Sequence, residues 1–261
     1  MVIRGKNTAT PMTNMNDNNK EWIEAELIES KIISSNLKSL RFKVGDYKTH
    51  IAGQHYDIKL VSKDLYTAER SYSVVSAPEE KGVIEFGVEL LENGEVSPYL
   101  WKMAVGQKIE IRGPIGGHFV IDDSSRKPLF LIAGGSGITP FISMIRHSLF
   151  LKNQNGLNRE IKLFVSSRDI DRFAYKEELT KMANEDKLLS LGVTLTDRVP
   201  ENWHGLTGRI EDRFFLDFFG RGEEREADIF VCGGNGFVEA ATKIMINNGF
   251  NANSIKTERF G

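Results

Sequence analysis

The stretch "AGGSGITP", residues 133–140, decides the fold of the C-terminal half of this chain. It follows the continuous apolar run "PLFLIAG" and leads into the helical pattern "PFISMIRHSLFLK". A continuous apolar run is typical of a parallel strand that is buried on both faces. Thr139 suits the N-cap of a helix and Pro140 suits its first turn. The stretch therefore predicts a strand, a turn and a helix of an α/β sheet.

The same stretch predicts a dinucleotide site. Gly135 and Gly137 match the first two glycines of the dinucleotide fingerprint, although Pro140 stands where the third would be. A helix that follows such a turn presents unpaired backbone N–H groups and a partial positive charge to a pyrophosphate. The alternative is a glycine turn without a ligand. The candidate ligands are Gly134, Gly135, Gly137, Thr139 and Pro140.

Beyond this unit the C-terminal half alternates strands and helices. Further strands are predicted at "IKLFVSS", "VTLT", "DIFVCGG" and "SIKTERF". Further helices are predicted at "YKEELTKMA", "IEDRFFLDFF" and "FVEAATKIMINN". Strict alternation implies an open parallel sheet with right-handed crossovers. The boundary falls near 122–127, which predicts an α/β domain over residues 124–261.

The N-terminal half has the period of antiparallel strands. Alternating apolar residues recur in "LRFKV", "HYDIKL", "VIEFGVEL" and "KIEIRG". Short strands separated by turns, with "SPYLWKM" as one short helix, predict an antiparallel β-barrel over residues 22–123. The first 21 residues are polar and rich in Asn and Thr, which predicts a disordered segment.

Composition limits the classes of partner. The 261 residues carry a net charge of −2, so bulk charge indicates neither nucleic acid nor a membrane surface as a partner. No apolar run reaches the roughly 18 residues that span a bilayer, and the N-terminus lacks the apolar core of a signal peptide. The single cysteine, Cys232, excludes an internal disulfide, a four-cysteine zinc site and a cysteine-ligated iron–sulfur cluster. We expect a cytoplasmic monomer without a metal.

The stretch "ERSYSVVSAP", residues 69–78, reads as a strand but carries more polar chemistry than packing needs. A cofactor with a pyrophosphate and a flat ring would use that chemistry. Arg70 would pair with the pyrophosphate, Tyr72 would stack on the ring, and Ser73 would hydrogen-bond its edge. Ser71 completes the candidate set. The alternative is a strand edge with one exposed arginine.

A second turn that leads into a helix lies in "GEVSPYL", residues 94–100. Ser97 is its predicted cap and a candidate phosphate ligand. The candidate flavin contacts of this turn are Gly94, Glu95, Val96 and Ser97.

Three arginines follow the predicted ends of parallel strands, where a coenzyme 2′-phosphate could be bound. They are Arg168, Arg198 and Arg209. Asp169 and Asp197 argue the other way, because a carboxylate repels phosphate and accepts a hydrogen bond from a ribose hydroxyl. The arginines favour NADPH, but NADH stays open, and solvated surface arginines are the alternative.

The motif "FVCGGNGF", residues 230–237, ends another parallel strand. Gly233 and Gly234 allow a ligand to approach the backbone at the carboxyl edge, where ligands bind in open α/β sheets. Cys232 is a candidate site residue, and the alternative is a small buried hydrophobe.

Six motifs taken in order resemble the ferredoxin–NADP reductase superfamily. They are "RSYS", "GEVSPYL", "GPIGGHF", "AGGSGITPFISMIRH", "VCGGNGF" and "TERFG". "GQHYDIKL" and "TDRVPENWHGLTGRI" are similar to compact bacterial flavin reductases that lack an iron–sulfur domain. The resemblance covers residues 22–261.

The resemblance implies FAD in the barrel and a nicotinamide coenzyme on the parallel sheet. Arg70 would then contact pyrophosphate, Tyr72 would stack on the isoalloxazine, and Ser73 would face flavin N5. Cys232 would lie beside nicotinamide C4, and Glu258 would lie near the reacting atoms.

We therefore predict an FAD-dependent NAD(P)H oxidoreductase with Ser73, Cys232 and Glu258 as its catalytic residues. Hydride would pass from nicotinamide C4 to flavin N5, and electrons would leave for a separate ferredoxin-, flavodoxin- or haem-type protein. Phe260 is hypothesised to cover the isoalloxazine on the face opposite Tyr72. One alternative is a reductase of free flavin, quinone or ferric iron. Another is a regulatory module that binds flavin or nucleotide without turnover.

Overall fold

The computed structural model of the chain describes residues 21–62, 64–223 and 226–260. The segment that was predicted to be disordered lies outside the described residues, except for Glu21. The described residues form two six-stranded sheets, one in each half of the chain.

The N-terminal sheet is antiparallel throughout, in the order β4-β3-β6-β1-β2-β5. Its strands are β1 Ile23–Ile32, β2 Leu37–Val44, β3 His55–Val61, β4 Thr67–Ser73, β5 Val83–Glu89 and β6 Lys108–Ile115. A backbone bridge from Val74 to Phe86 links the two edge strands, so the sheet curls back on itself. Helix α1, Ser97–Lys102, follows β5. The predicted antiparallel fold is confirmed.

Alternation along the strands explains why this half closes around one core. In β2, Leu40, Phe42 and Val44 are buried, whereas Lys43 between them is exposed. Phe42 and Tyr56 both pack on Phe86, with ring centroids 5.9 and 6.1 Å apart respectively. Burial of such large apolar groups is the main stabilising contribution to a sheet that closes this way.

The C-terminal sheet is parallel, in the order β10-β9-β8-β7-β11-β12, and confirms the predicted α/β architecture. Its strands are β7 Leu129–Gly134, β8 Ile161–Asp169, β9 Leu189–Arg198, β10 Leu206–Thr207, β11 Asp228–Gly234 and β12 Ile255–Phe260. Its helices are α2 Thr139–Asn155, α3 Lys176–Glu185, α4 Asp212–Phe219 and α5 Asn235–Asn247.

The order of the parallel strands positions the site. From β7 the chain moves outward to β8, β9 and β10 on one side, and it later returns to β11 on the other side of β7. The direction of strand addition therefore reverses between β7 and β11. In open α/β sheets, ligands bind in the crevice at the carboxyl ends of the strands that flank such a reversal. Both glycine motifs lie here, at the carboxyl ends of β7 and β11.

Helix α2 begins differently from the prediction. A 3₁₀ turn over Gly135–Ile138 precedes it, and its N-cap is Ile138 rather than Thr139. The Thr139 hydroxyl donates a hydrogen bond to the backbone carbonyl of Ser136 at 3.0 Å. The N-cap prediction for Thr139 was wrong because the 3₁₀ turn extends the helical chain backwards by one turn. Pro140 does lie in the first turn, as predicted.

Candidate functional site

The turn at Gly135–Ile138 is packed tightly against the end of β11. A Cβ atom added at Gly137 would lie 2.2 Å from the backbone oxygen of Cys232, and Gly135 has a φ of +57°. Only glycine fits both positions without strain. The first backbone N–H groups of a helical segment have no partner within it, and they attract anions. This packing brings those groups to the carboxyl edge of the sheet.

Two neighbouring glycines have a different structural cause. A Cβ atom at Gly134 or at Gly233 would lie 2.6 or 2.7 Å from the ring of Phe237 in α5. The two glycines therefore let α5 pack over the ends of β7 and β11. Gly234 has open space around its Cα and is the N-cap of α5. Of these three glycines, it is the one that leaves room for a ligand.

In the barrel, Arg70 lies beside the turn that precedes α1. Its Nη2 donates to Oε2 of Glu95 at 2.9 Å, and its Nη1 donates to the backbone carbonyl of Glu69 at 2.7 Å. The other carboxylate oxygen of Glu95 accepts from the Tyr66 hydroxyl at 2.8 Å. Both ion-pair partners are about half exposed, at 55% and 47% for the arginine and the glutamate. The two sequence motifs that were predicted to share a pyrophosphate are therefore neighbours.

Ser97 does not cap α1, which corrects the second N-cap prediction. The N-cap residue is Val96, and it makes no side-chain capping bond. The Ser97 hydroxyl instead accepts from the backbone N–H of Leu91 at 3.1 Å, so it closes the preceding turn. A Cβ atom at Gly94 would lie 3.1 Å from that hydroxyl oxygen, which explains the glycine.

Tyr72 and Ser71 point in different directions, as neighbours on a strand must. The half-buried Tyr72 ring packs 6.3 Å from Phe86, and burial raises its pKa to about 12, so the phenol is neutral. The Ser71 hydroxyl donates to Asp57 at 2.6 Å, and Arg112 donates to the same carboxylate at 2.8 Å. Burial opposes ionisation of Asp57, but these hydrogen bonds outweigh it and lower its pKa.

Side chains from both sheets meet at the end of β4. Ser73 is close enough to Glu258 of β12 to influence the pKa of its carboxyl, and Glu258 lies opposite the buried Cys232 in the register of β11 and β12. The Nδ1 atom of His55 lies 3.9 Å from Oε1 of Glu258. His55 is also opposite Ser73 in the pairing of β3 and β4. Four strands thus contribute one side chain each to a single point.

Sequence reasoning assigned no role to His55. Its signal was present in the motif "GQHYDIKL", but only the strand pairing reveals that this imidazole faces Ser73 and Glu258.

The electrostatics around Glu258 and Cys232 suit a group that holds a proton rather than a nucleophile. Burial raises the pKa of Glu258 to about 7, although the Ser73 hydroxyl acts in the opposite direction. Its Oε2 atom is buried and has no hydrogen-bond partner among the described residues. Burial, with a smaller contribution from Glu258, raises the pKa of the Cys232 thiol well above its usual range. Glu258 can therefore hold or release a proton near neutral pH, whereas Cys232 stays an uncharged thiol.

The three predicted arginines lie at the carboxyl ends of adjacent strands: Arg168 within the end of β8, Arg198 as the last residue of β9, and Arg209 just after β10. Arg198 donates to Oδ2 of Asp169 at 2.7 Å, and the backbone N–H of Arg172 donates to Oδ1 at 3.0 Å. Burial opposes ionisation of Asp169, but these contacts outweigh it and lower its pKa. Arg168 and Arg209 are exposed. Arg198 is therefore partly neutralised by an acid that the sequence already indicated.

Phe260 is the last described residue of β12. It lies opposite Gly234 in the parallel register and is 39% exposed. It thus lies at the same carboxyl edge as the glycine motifs.

Among the described residues, no helix has the length and apolar character needed to cross a membrane. Within the same residues, no cluster of three or more His, Cys, Asp or Glu side chains could bind a metal ion.

Comparison with known proteins gives consistent matches in both halves. The family model for an oxidoreductase FAD-binding domain matches residues 24–120, and that for an oxidoreductase NAD-binding domain matches residues 131–243. The chain is 30% identical over 226 residues to NADH–cytochrome b5 reductase 2 of Aspergillus clavatus, which covers 84% of this chain and 68% of that protein. It is 28% identical over 214 residues to one subunit of the Na⁺-translocating NADH–quinone reductase of a Marinomonas species, covering 78% of this chain and 51% of that one.

A solved structure supports the fold. The cytochrome b5 reductase domain of Ulva prolifera nitrate reductase superimposes with a TM-score of 0.80 at 23% sequence identity. The match covers 91% of this chain and 97% of that one.

Proposed function

The chain belongs to the ferredoxin–NADP reductase-like superfamily and is an FAD-dependent NAD(P)H oxidoreductase, and we propose that hydride transfer takes place where Ser73, Cys232 and Glu258 meet. One observation carries this proposal. His55, which is paired with Ser73 at the end of the flavin motif, lies 3.9 Å from Glu258 at the end of the parallel sheet. Residues 185 positions apart in the sequence (258 minus 73) therefore share one point in space.

The residues present fit FAD. The exposed guanidinium of Arg70 and the turn before α1 suit a pyrophosphate, and the half-buried ring of Tyr72 suits stacking on a flat ring. The buried Oε2 of Glu258, which lacks a partner among the described residues, can accept a hydrogen bond from a ligand. Bound FAD would supply two-electron chemistry, taking a hydride from NAD(P)H to leave NAD(P)⁺ and giving up the electrons to an acceptor, one at a time where that acceptor is a haem protein.

We propose distinct roles for the surrounding residues. Arg70 binds the flavin pyrophosphate, and the N–H groups of Gly135–Ile138 bind the coenzyme pyrophosphate. Ser73 orients Glu258, and Glu258 holds a proton at its carboxyl beside the reacting atoms, because its pKa of about 7 allows both forms. Cys232 forms a neutral wall of the nicotinamide pocket. All three catalytic candidates come from one chain, so we propose a monomer.

We propose that the preferred coenzyme is NADH. Arg198 gives one guanidinium nitrogen to Asp169, and the exposed Asp197 adds a second carboxylate at this edge. Both features weaken the sequence argument for a 2′-phosphate, and the name of the Aspergillus relative specifies NADH. A comparison of kcat/KM for the two coenzymes tests this. A larger value for NADPH than for NADH would contradict the proposal.

The acceptor is proposed to be a separate redox protein. The Aspergillus relative is named as a reductase of cytochrome b5, which is such a protein. A small quinone is the second candidate, since the Marinomonas relative is named as part of a quinone reductase. Reduction rates with a small haem protein and with a soluble quinone, at equal concentrations, distinguish the two.

Two neighbouring serines provide a matched test of the site. Ser73 lies beside Glu258, whereas Ser71, two residues earlier on the same face of the strand, donates its hydroxyl to Asp57. Ser73→Ala should slow reduction of bound FAD by NADH by about tenfold or more, corresponding to roughly 1.4 kcal/mol. Ser71→Ala should change it by less than about threefold. Equal effects of the two variants in anaerobic stopped-flow experiments would contradict the proposed site.

A further inference from the structure

One face of α2 is bound to the segment that directly follows the flavin motif. Ser143, Arg146 and His147 are three and four residues apart, so they project from the same side of the helix. The Ser143 hydroxyl donates to the backbone carbonyl of Ser76 at 2.8 Å, and Nη1 of Arg146 donates to that of Val75 at 3.2 Å. His147 contacts Glu79 through Nδ1 and lies 3.0 Å from Asp123 through Nε2.

Arg146 is the centre of this contact. Its Nη1 donates to Glu85 of β5 at 2.7 Å, and its Nε and Nη2 form a two-pronged pair with Glu178 of α3 at 2.7 and 3.0 Å. Glu85 is only 3% exposed and also accepts from Ser39 and Tyr175. One guanidinium therefore joins a strand of the barrel to two helices of the parallel sheet.

The geometry of this network is fixed by its two-pronged pair and by the buried Glu85. Two-pronged arginine–carboxylate pairs restrict both distance and angle. Burial alone would lower the pKa of Arg146, but the contacts with Glu178 and Glu85 outweigh it, so the guanidinium stays charged. Without Arg146, the buried Glu85 would keep Arg41 as a cationic partner only at 3.4 Å, so neighbouring groups would shift to compensate its charge.

A second contact ties the beginning of α2 to the same barrel strand. The turn at Gly135–Ile138, which is proposed to bind the coenzyme, is called the coenzyme turn below. Within it, the Ser136 hydroxyl donates to Oε2 of Glu89 at 2.6 Å. A Cβ atom on Gly87 would lie 2.5 Å from the Thr139 side chain, so β5 passes directly against the helix. Helix α2 is therefore held to the barrel both at the coenzyme turn and two turns further along.

We propose that Arg146 is a positioning residue that sets the separation between the flavin ring and the nicotinamide ring. Helix α2 begins at the turn that binds the coenzyme, and the segment that it contacts begins at Val75, two residues after Ser73. A helix is stiff over this length, so a shift at Arg146 moves the coenzyme turn relative to the flavin strand. This inference rests on the proposed function. Misplacement by about 1 Å can slow a reaction on the order of 100-fold without weakening binding.

Arg146→Met is the principal variant. It should slow FAD reduction by NADH by about 10- to 100-fold while changing the dissociation constants of FAD and NAD⁺ by less than about threefold. The readout apart from activity is the long-wavelength charge-transfer absorbance with a tetrahydro analogue of NADH, which cannot give up a hydride. This absorbance depends on ring-to-ring contact and should weaken in the variant. Arg146→Lys keeps the charge and should restore part of it.

Arg159→Met is the matched control. Arg159 is more deeply buried than Arg146, and its partners, Asp228 and the carbonyl of Lys127, lie within the C-terminal half. This control should lower the unfolding temperature and leave the charge-transfer absorbance unchanged. Glu178→Gln is a milder second variant, should Arg146→Met fail to fold, and it should weaken the absorbance in the same direction.

The outcomes separate this inference from the proposed function. A native charge-transfer absorbance and native reduction rate in Arg146→Met, or in Glu178→Gln if only that variant folds, would overturn the positioning role. An equal loss in Arg159→Met would also overturn it, because general destabilisation would then be the cause. A wild-type protein that binds FAD but is reduced by neither coenzyme would instead contradict the proposed function.

Discussion

The candidate ligand sites on the two sheets are built from different parts of the chain. On the parallel sheet, the candidate site is made of backbone that is packed too closely for any side chain, as at Gly137 against Cys232. On the barrel, it is made of exposed side chains such as Arg70 and Glu95, which form a half-exposed ion pair.

In the parallel sheet, the same residues therefore determine both ligand binding and stability. In the barrel, the residues that bind the ligand contribute little to stability. A substitution in the coenzyme turn forces backbone atoms to move, so it should damage stability and binding together. A substitution at an exposed barrel side chain removes a ligand contact and leaves the core intact, because surface ion pairs contribute little to stability. Four substitutions test this contrast.

The largest effect is expected for Gly137→Ala. The new methyl group would lie 2.2 Å from the backbone oxygen of Cys232, and strand β11 or the turn would have to shift. We expect a loss of about 2–4 kcal/mol in the free energy of unfolding, together with loss of coenzyme binding. Urea denaturation measures the first. The control is Gly236→Ala in α5, where the added methyl group meets open space and stability should be unchanged or slightly higher.

Arg70→Ala should affect FAD binding alone. A charge-assisted contact to phosphate contributes roughly 1.5–3 kcal/mol, so FAD affinity should fall by about 10- to 150-fold. The unfolding free energy of the FAD-free protein should change by less than about 0.5 kcal/mol. Quenching of FAD fluorescence on titration measures the affinity. If stability fell as much as affinity did, the proposed independence of the barrel site would be wrong.

Glu258→Gln should change how stability depends on pH. Burial raises the folded-state pKa of Glu258 to about 7 from its ordinary value of 4.5, so between these values the native state holds a proton that the unfolded state has lost. The wild type should therefore lose stability as the pH rises through this window. The variant should lose less, by about 1–2 kcal/mol in total. Parallel wild-type and variant curves would show that Glu258 titrates normally.

Glu95→Gln should have the smallest effect and the opposite sign to Arg70→Ala. The carboxylate of Glu95 competes with a pyrophosphate for Arg70 and repels it. Its removal should tighten FAD binding by about two- to fivefold, as expected for an exposed charge. The gain should shrink in high salt, because exposed charges are screened. Weaker FAD binding would show that Glu95 itself contacts the cofactor.

The sequence predicted both sheets because each half has a consistent period and clear turn residues. It also predicted that Ser73, Cys232 and Glu258 belong together, but only through the resemblance of motifs. Spacing along the chain could not reveal that Ser73 and Glu258 lie close together, because this proximity crosses from one sheet to the other.

Two kinds of feature escaped sequence reasoning. Helix starts at Thr139 and Ser97 were misread, because both hydroxyls satisfy backbone groups of the preceding turn rather than of the helix. Arg146 lay inside a quoted motif without a role, because its partners are 61 and 32 residues away in the chain. Long-range ion pairs depend on the packing of elements, which local patterns do not encode.

The most direct test of hydride transfer between the two halves is anaerobic mixing of the FAD-loaded protein with NADH. We predict that the visible absorption of the flavin bleaches within seconds and that denaturation then releases FAD rather than FMN. Ser73→Ala should bleach about tenfold more slowly, while Ser71→Ala keeps pace with the wild type. Bound FAD that stays fully coloured with both NADH and NADPH would contradict the claim that the two halves meet to transfer a hydride.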